Sequence, residues 1–118
     1  MATMTKTING NEYTFYNNWR GNRSGFVHET ELYKNGRFMG RNKIQYYNRT
    51  WESYDFQSVM IGVVRELLDD CRKSFESSWK NARNIKRLTE AKRQEMTAEF
   101  EGNLPEDYVE FYELYSML

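Results

Sequence analysis

Three residue types are almost missing from this 118-residue chain, which holds one cysteine, one histidine and one proline. A lone Cys71 excludes an internal disulfide and any multi-cysteine zinc site, and it suits a reducing compartment. A lone His28 leaves no histidine pair to grip a metal or to activate a thiol. There is no Walker loop, no glycine-rich nucleotide fingerprint and no His/Glu metal helix. No apolar run approaches the ~20 residues that span a bilayer. The opening Met1–Lys6 lacks the apolar core of a signal peptide, so a cytoplasmic location is expected. The sequons Asn22-Arg23-Ser24 and Asn48-Arg49-Thr50 are then expected to be coincidental. The chain is expected to be no enzyme, to carry no cofactor and no metal, and to meet no membrane.

Net charge is missing too, because 17 basic and 17 acidic residues cancel. They are sorted into blocks, however. Met1–Trp51 holds eight bases against three acids, and from Glu52 to Trp79 acids lead six to three. Lys80–Arg93 has six bases and one acid, and seven acids with no base follow Arg93. Two surfaces of opposite sign therefore await two kinds of partner, or each other. Aromatics at 16% supply much of the core. A length of 118 residues fits one domain, with a sheet over 1–49 and a helical half over 50–118.

The first half reads as strands. Thr3–Ile8 and Glu12–Asn18 flank Asn9-Gly10-Asn11, and Phe26–Lys34 and Arg37–Tyr47 flank Asn35-Gly36. Asn and Gly tolerate positive φ, so both junctions are hairpin turns. In the second hairpin a two-residue loop would mix Glu29 and Glu31 with Val27 and Tyr33. A three-residue loop, Lys34-Asn35-Gly36, sets Phe26 against Ile44, Leu32 against Phe38 and Glu29 against Arg41. Segregation of apolar from charged faces favours the latter. It leaves an outer lattice of Glu29, Glu31, Arg37, Arg41 and Lys43, with His28 on the core face.

The second half reads as helices. Phe56, Met60, Val63, Val64, Leu67, Leu68, Cys71, Phe75 and Trp79 form a stripe at three-and-four spacing, which places Cys71 in the core. Thr50 or Ser53 is the expected cap, and Glu52 and Asp55 suit the positive end of the helix dipole. Taken literally this helix continues to Gly102, ~70 Å at 1.5 Å per residue. A domain of this size has a radius of gyration of only ~13–14 Å. The weak helix formers Asn81 and Asn84, and Thr89 as a new cap, predict a break between 81 and 89. A last helix starts near Pro105, with Tyr108, Phe111, Tyr112 and Tyr115 on one side. The fold class is thus α+β: a four-stranded antiparallel meander packed on a long amphipathic helix, with one or two shorter C-terminal helices.

Two surfaces are candidate binding sites. Regularly spaced carboxylates on a rigid helix imitate a phosphate backbone, and Glu99, Glu101, Glu106, Asp107, Glu110 and Glu113 are the acidic candidates for docking a protein partner. Arg20, Arg23, Arg37, Arg41, Lys43 and Arg49 form a basic candidate surface, interleaved with Tyr13, Tyr16, Trp19, Tyr33 and Tyr47, that suits nucleic acid. Lys80–Arg87 is a second basic segment. Carboxylate pairs such as Asp69-Asp70 or Glu29/Glu31 read as solvated surface.

The least generic stretch is Tyr46-Tyr47-Asn48-Arg49-Thr50-Trp51-Glu52-Ser53-Tyr54-Asp55-Phe56-Gln57-Ser58-Val59-Met60. With Gly25-Phe26-Val27-His28 and Tyr33-Lys34-Asn35-Gly36 upstream, it resembles small proteins of phages and mobile elements of Gram-positive bacteria, some of which inhibit type II CRISPR effector nucleases. The resemblance covers roughly residues 13 to 68. It implies an anti-CRISPR accessory protein acting in the host cytosol on a nuclease or its guide complex. Physically the stretch is a strand-to-helix junction: Asn48 turns the chain, Thr50 caps, Trp51 pins strand to helix, and Arg49 is left as the binding candidate. The alternatives are a small nucleic-acid-binding protein using the basic, aromatic sheet surface, and an oligomerising module, monomer or dimer, whose long helix pairs with its copy.

Overall fold

The computed structural model describes residues 2–47 and 55–118. Four antiparallel strands run in sheet order β1-β2-β3-β4. They are β1 (Ala2–Ile8), β2 (Asn11–Asn22), β3 (Gly25–Lys34) and β4 (Arg37–Tyr46). Three helices follow: α1 (Gln57–Ala82), α2 (Glu90–Gly102) and α3 (Glu106–Ser116). The fold is α+β, with a long helix of 26 residues.

The turns obey local chemistry. Asn9 and Gly10 have φ of 51° and 78°, and Asn35 and Gly36 have 52° and 80°, so each hairpin closes through two left-handed residues. That conformation matches the right-handed twist of the flanking strands and is cheap only for Asn and Gly. The second loop is therefore two residues long, not three. The predicted pairing is corrected accordingly. Lys34 pairs with Arg37 and Tyr33 with Phe38; a bulge between Leu32 and Tyr33 then shifts the ladder, setting Leu32 opposite Gly40. Beyond it Glu31 faces Arg41, Glu29 faces Lys43, His28 faces Ile44 and Phe26 faces Tyr46. The segregation of faces is achieved by an extra residue, Met39, rather than by a longer loop. Phe38 is thereby carried to the outer face, where it is 49% exposed.

The inner face buries Tyr13, Phe15 and Leu32 against Val63 and Val64 of α1 and Phe111 and Leu114 of α3. At about 25 cal/mol per Å² of apolar area, these rings and branched chains dominate the stability. The close approach of α1 to β4 is set by Gly62. A β-carbon there would lie 2.2 Å from the Asn42 amide nitrogen, which donates to the Val59 carbonyl at 3.3 Å.

Asp55 accepts from the Gln57 backbone N–H at 3.0 Å at the start of α1, whose N-cap position is Phe56. The junction residues Asn48, Thr50, Trp51, Glu52 and Ser53 lie outside the described residues, as does Arg49. The expected break falls within 81–89. Asn84 takes φ of 50°, and the Thr89 hydroxyl accepts from Lys92 N–H at 3.3 Å to cap α2. α1 runs beyond the sheet, where Phe75 and Trp79 meet α2 instead. The molecule measures 51 × 35 × 21 Å with a radius of gyration of 17.6 Å. That exceeds the ~13–14 Å of a compact domain, so α2 and the end of α1 extend the shape. Among the described residues no helix is long and apolar enough to cross a membrane.

Candidate functional site

The six acidic candidates divide by the company they keep. Glu110 is 1% exposed. Its carboxylate accepts from the Tyr13 hydroxyl at 2.7 Å and the Asn11 amide at 2.9 Å, with the Lys34 ammonium 3.7 Å away. Burial alone would raise its pKa. The hydrogen bonds from Tyr13 and Asn11 and the charge of Lys34 outweigh that and hold it below the ordinary carboxylate value. The neighbouring carboxylate and burial push the Tyr13 phenol well up, burial contributing most. Glu110 is therefore a fastening between α3 and the hairpin end of the sheet, and its expected role on a docking surface is corrected. The same knot joins the two turns. Asn35 donates through its amide to Asn11 at 3.0 Å and accepts the Glu12 N–H at 2.8 Å.

Two more acids have internal partners. Glu99 accepts from the Trp79 indole at 2.8 Å and from Arg83 at 2.7 Å, and the Arg83 guanidinium lies 4.1 Å from the Trp79 ring centroid. Asp107 is 3.5 Å from Lys34, an exposed pair of small energetic weight. Glu101, Glu106 and Glu113 are exposed, and no ion pair engages them among the described residues.

The buried face of α3 is also rotated from the expected one. Tyr108, Phe111 and Leu114 are buried, while Tyr112 is 59% exposed. Leu114, at 0% exposure, enters the main core and turns the helix by one position. The outward face then carries Glu106, Val109, Tyr112, Glu113 and Ser116. Arg72 braces the opposite side, donating to the Tyr108 hydroxyl at 3.1 Å with its guanidinium 5.0 Å from the Phe100 ring centroid.

Of the basic candidates, Arg20 is tied to Glu29 at 2.9 Å, on the outer sheet face. Arg23, Arg37, Arg41 and Lys43 are exposed, with no ion pair among the described residues. Between them runs a row of rings. Tyr16 and Tyr33 meet edge to face at 5.3 Å, and Tyr33 and Phe38 at 5.6 Å. Tyr33 donates to Glu31 at 2.9 Å, and that bond is the main cause of its raised pKa. Of the interleaved aromatics, Tyr13 and not Tyr16 belongs to the core: Tyr13 is 0% exposed. Tyr47 is exposed beside the junction.

The residues with catalytic chemistry sit elsewhere. His28 is 1% exposed, with its ring 4.5 Å from Phe56 and 5.2 Å from Phe26 and Tyr46. Burial lowers its pKa; a hydrogen bond to the Asp55 backbone and that residue's charge act in the opposite direction. This ring fastens strand β3 to the entry of α1. Cys71 is half-buried against the core, and burial, followed by Asp107 and Asp70, raises its thiol pKa away from the reactive range. Among the described residues no group of three or more His, Cys, Asp or Glu side chains forms a metal-binding cluster.

Sequence reasoning missed the Glu110 knot, the Trp79–Glu99–Arg83 stack and the Arg72 brace. A signal existed for the first: Glu110 lies four residues before Leu114 and beside Phe111, on the buried arc of the helix. Comparison with known proteins finds no matching family model, no matching curated protein and no matching solved structure.

Proposed function

We propose that this chain is a non-enzymatic accessory protein of a phage or mobile element that binds and inhibits a host nucleic-acid-directed enzyme, namely a type II CRISPR effector nuclease. The observation that carries the reading is the outward face of α3. Glu106 and Glu113 stand about two helical turns apart, with Val109 and Tyr112 between them. Glu101 adds a third unpaired carboxylate at the end of α2. The helix that carries Glu106 and Glu113 is held rigid from behind by buried Glu110, Phe111 and Leu114. Acids flanking an exposed ring suit a basic channel with an apolar floor: the charges steer the encounter and the ring supplies contact area. Rigidity matters because carboxylates already fixed in place lose little entropy on docking.

The test is inhibition of target-DNA cleavage by the chain carrying Glu101→Gln, Glu106→Gln and Glu113→Gln, with circular dichroism to check the fold. Inhibition by the native chain and its loss in the folded variant supports the reading. Equal inhibition by both rejects this face. A second reading is favoured by the Tyr16–Tyr33–Phe38 row beside Arg37, Arg41 and Lys43: the outer sheet face would then stack single-stranded bases and neutralise their phosphates.

A further inference from the structure

The segment joining α1 to α2, with the first turn of α2, is dense in bases. Residues 86–93 carry four bases, Lys86, Arg87, Lys92 and Arg93, against one acid, Glu90. All four bases are exposed, and none has an ion pair among the described residues. Their two basic neighbours are already occupied, Lys80 by Glu76 at 3.1 Å and Arg83 by Glu99 at 2.7 Å. The segment is also held in shape. The Asn84 left-handed turn ends α1, and the Thr89 hydroxyl caps α2. The free N–H groups of that first turn add their positive pole to the same place.

No large apolar side chain is exposed there. Among the described residues the exposed ones are Tyr16, Trp19, Phe38, Tyr47, Leu104, Val109, Tyr112 and Met117, all outside residues 80–93. Leu88 and Trp79 are buried at 8% and 3%. A surface that docks an acidic protein needs an apolar centre inside its polar rim. A surface that stacks unpaired bases needs an exposed ring. This one has neither.

We infer that the tip formed by Lys86, Arg87, Lys92 and Arg93 is a sequence-independent site for the phosphate backbone of a nucleic-acid duplex. It belongs to α2 and the segment before it rather than to α3, with Arg93 sharing a surface pocket with Glu90 and Glu101, and it does not depend on the inhibitor reading. Arg presents a fork to phosphate oxygens and Lys a point charge, so four contacts release about four condensed counterions. The expected slope of log affinity against log salt is then about −3.6, or roughly 10²-fold weaker binding at 200 mM than at 50 mM.

The experiment is fluorescence anisotropy of the full chain with a labelled 20-base-pair DNA duplex across that salt range. It uses the native chain, a K86Q/R87Q/K92Q/R93Q variant and an R37Q/R41Q/K43Q variant, each checked for fold by circular dichroism. The expected result is duplex binding with the stated slope, lost by at least tenfold in the tip variant and kept within about twofold in the sheet variant. Binding that survives in the tip variant overturns the inference. So does loss in the sheet variant instead, tighter binding to the single strand than to the duplex, or equal binding to a poly-glutamate peptide.

Discussion

A carboxylate surrounded by a phenol, an amide and an ammonium titrates differently from one in water. Glu110 is ionised in the folded chain at a pH where it would already be protonated in the unfolded one. The stability it contributes is thus fully present above its ordinary value of 4.5 and is lost as pH falls through the lower folded value. Urea unfolding at pH 7 and at pH 3 is expected to show a loss for the native chain that is smaller in Glu110→Gln. Glu110→Ala at pH 7 is expected to cost about 2–3 kcal/mol, since it strands the Tyr13 hydroxyl and the Asn11 amide and leaves Lys34 only Asp107. A cost below ~1 kcal/mol would mean that the knot is slack. This residue was hard to recognise in the sequence because it is one of seven acids after Arg93. What distinguishes it is supplied from 97 and 99 positions away, by Tyr13 and Asn11.

Elements were legible where their limits are local. Asn-Gly pairs mark both turns, Asn84 ends one helix and Thr89 starts the next, each through its own backbone preference or side-chain bond. The register of β3 on β4 was not legible, because the bulge at Met39 answers to a partner: it sets Gly40 opposite Leu32 and over Val63 and Leu67 of α1. The orientation of α3 failed for the same reason, since the core draws in Leu114 and leaves Tyr112 outside. Gly62 tests this helix-on-sheet geometry. Gly62→Ala is expected to cost about 1–3 kcal/mol in urea unfolding, because the new methyl group displaces the Asn42 amide. Asn42→Ala removes the obstruction, so the double variant is expected to be more stable than the two single costs predict. Simple additivity would contradict the close approach of α1 to β4.

At the scale of the molecule, opposite charges are partly cancelled within the fold and partly left facing solvent. Glu99, Asp107 and Glu110 find Arg83 and Lys34, and Arg20 finds Glu29. Glu101, Glu106 and Glu113 remain, as do the bases of β4 and of the α1–α2 tip. The apolar stripe of α1 is spent on the sheet, α2 and α3, and its exposed positions include Glu66, Asp69, Asp70 and Lys73. Pairing of this helix with a copy of itself has no apolar seam to use, so light scattering is expected to return the 14.3 kDa monomer mass. A concentration-independent dimer would contradict that. The proposed inhibition requires Glu106 and Glu113 of α3, with Glu101 of α2, to meet a foreign basic channel. The direct measurement is target-DNA cleavage by guide-loaded type II effectors of Gram-positive hosts, titrated with the native chain and with E101Q/E106Q/E113Q. Inhibition by the native chain that weakens at least tenfold in the folded triple variant is the predicted result. Cleavage unaffected by the native chain, or blocked equally by both, would contradict it.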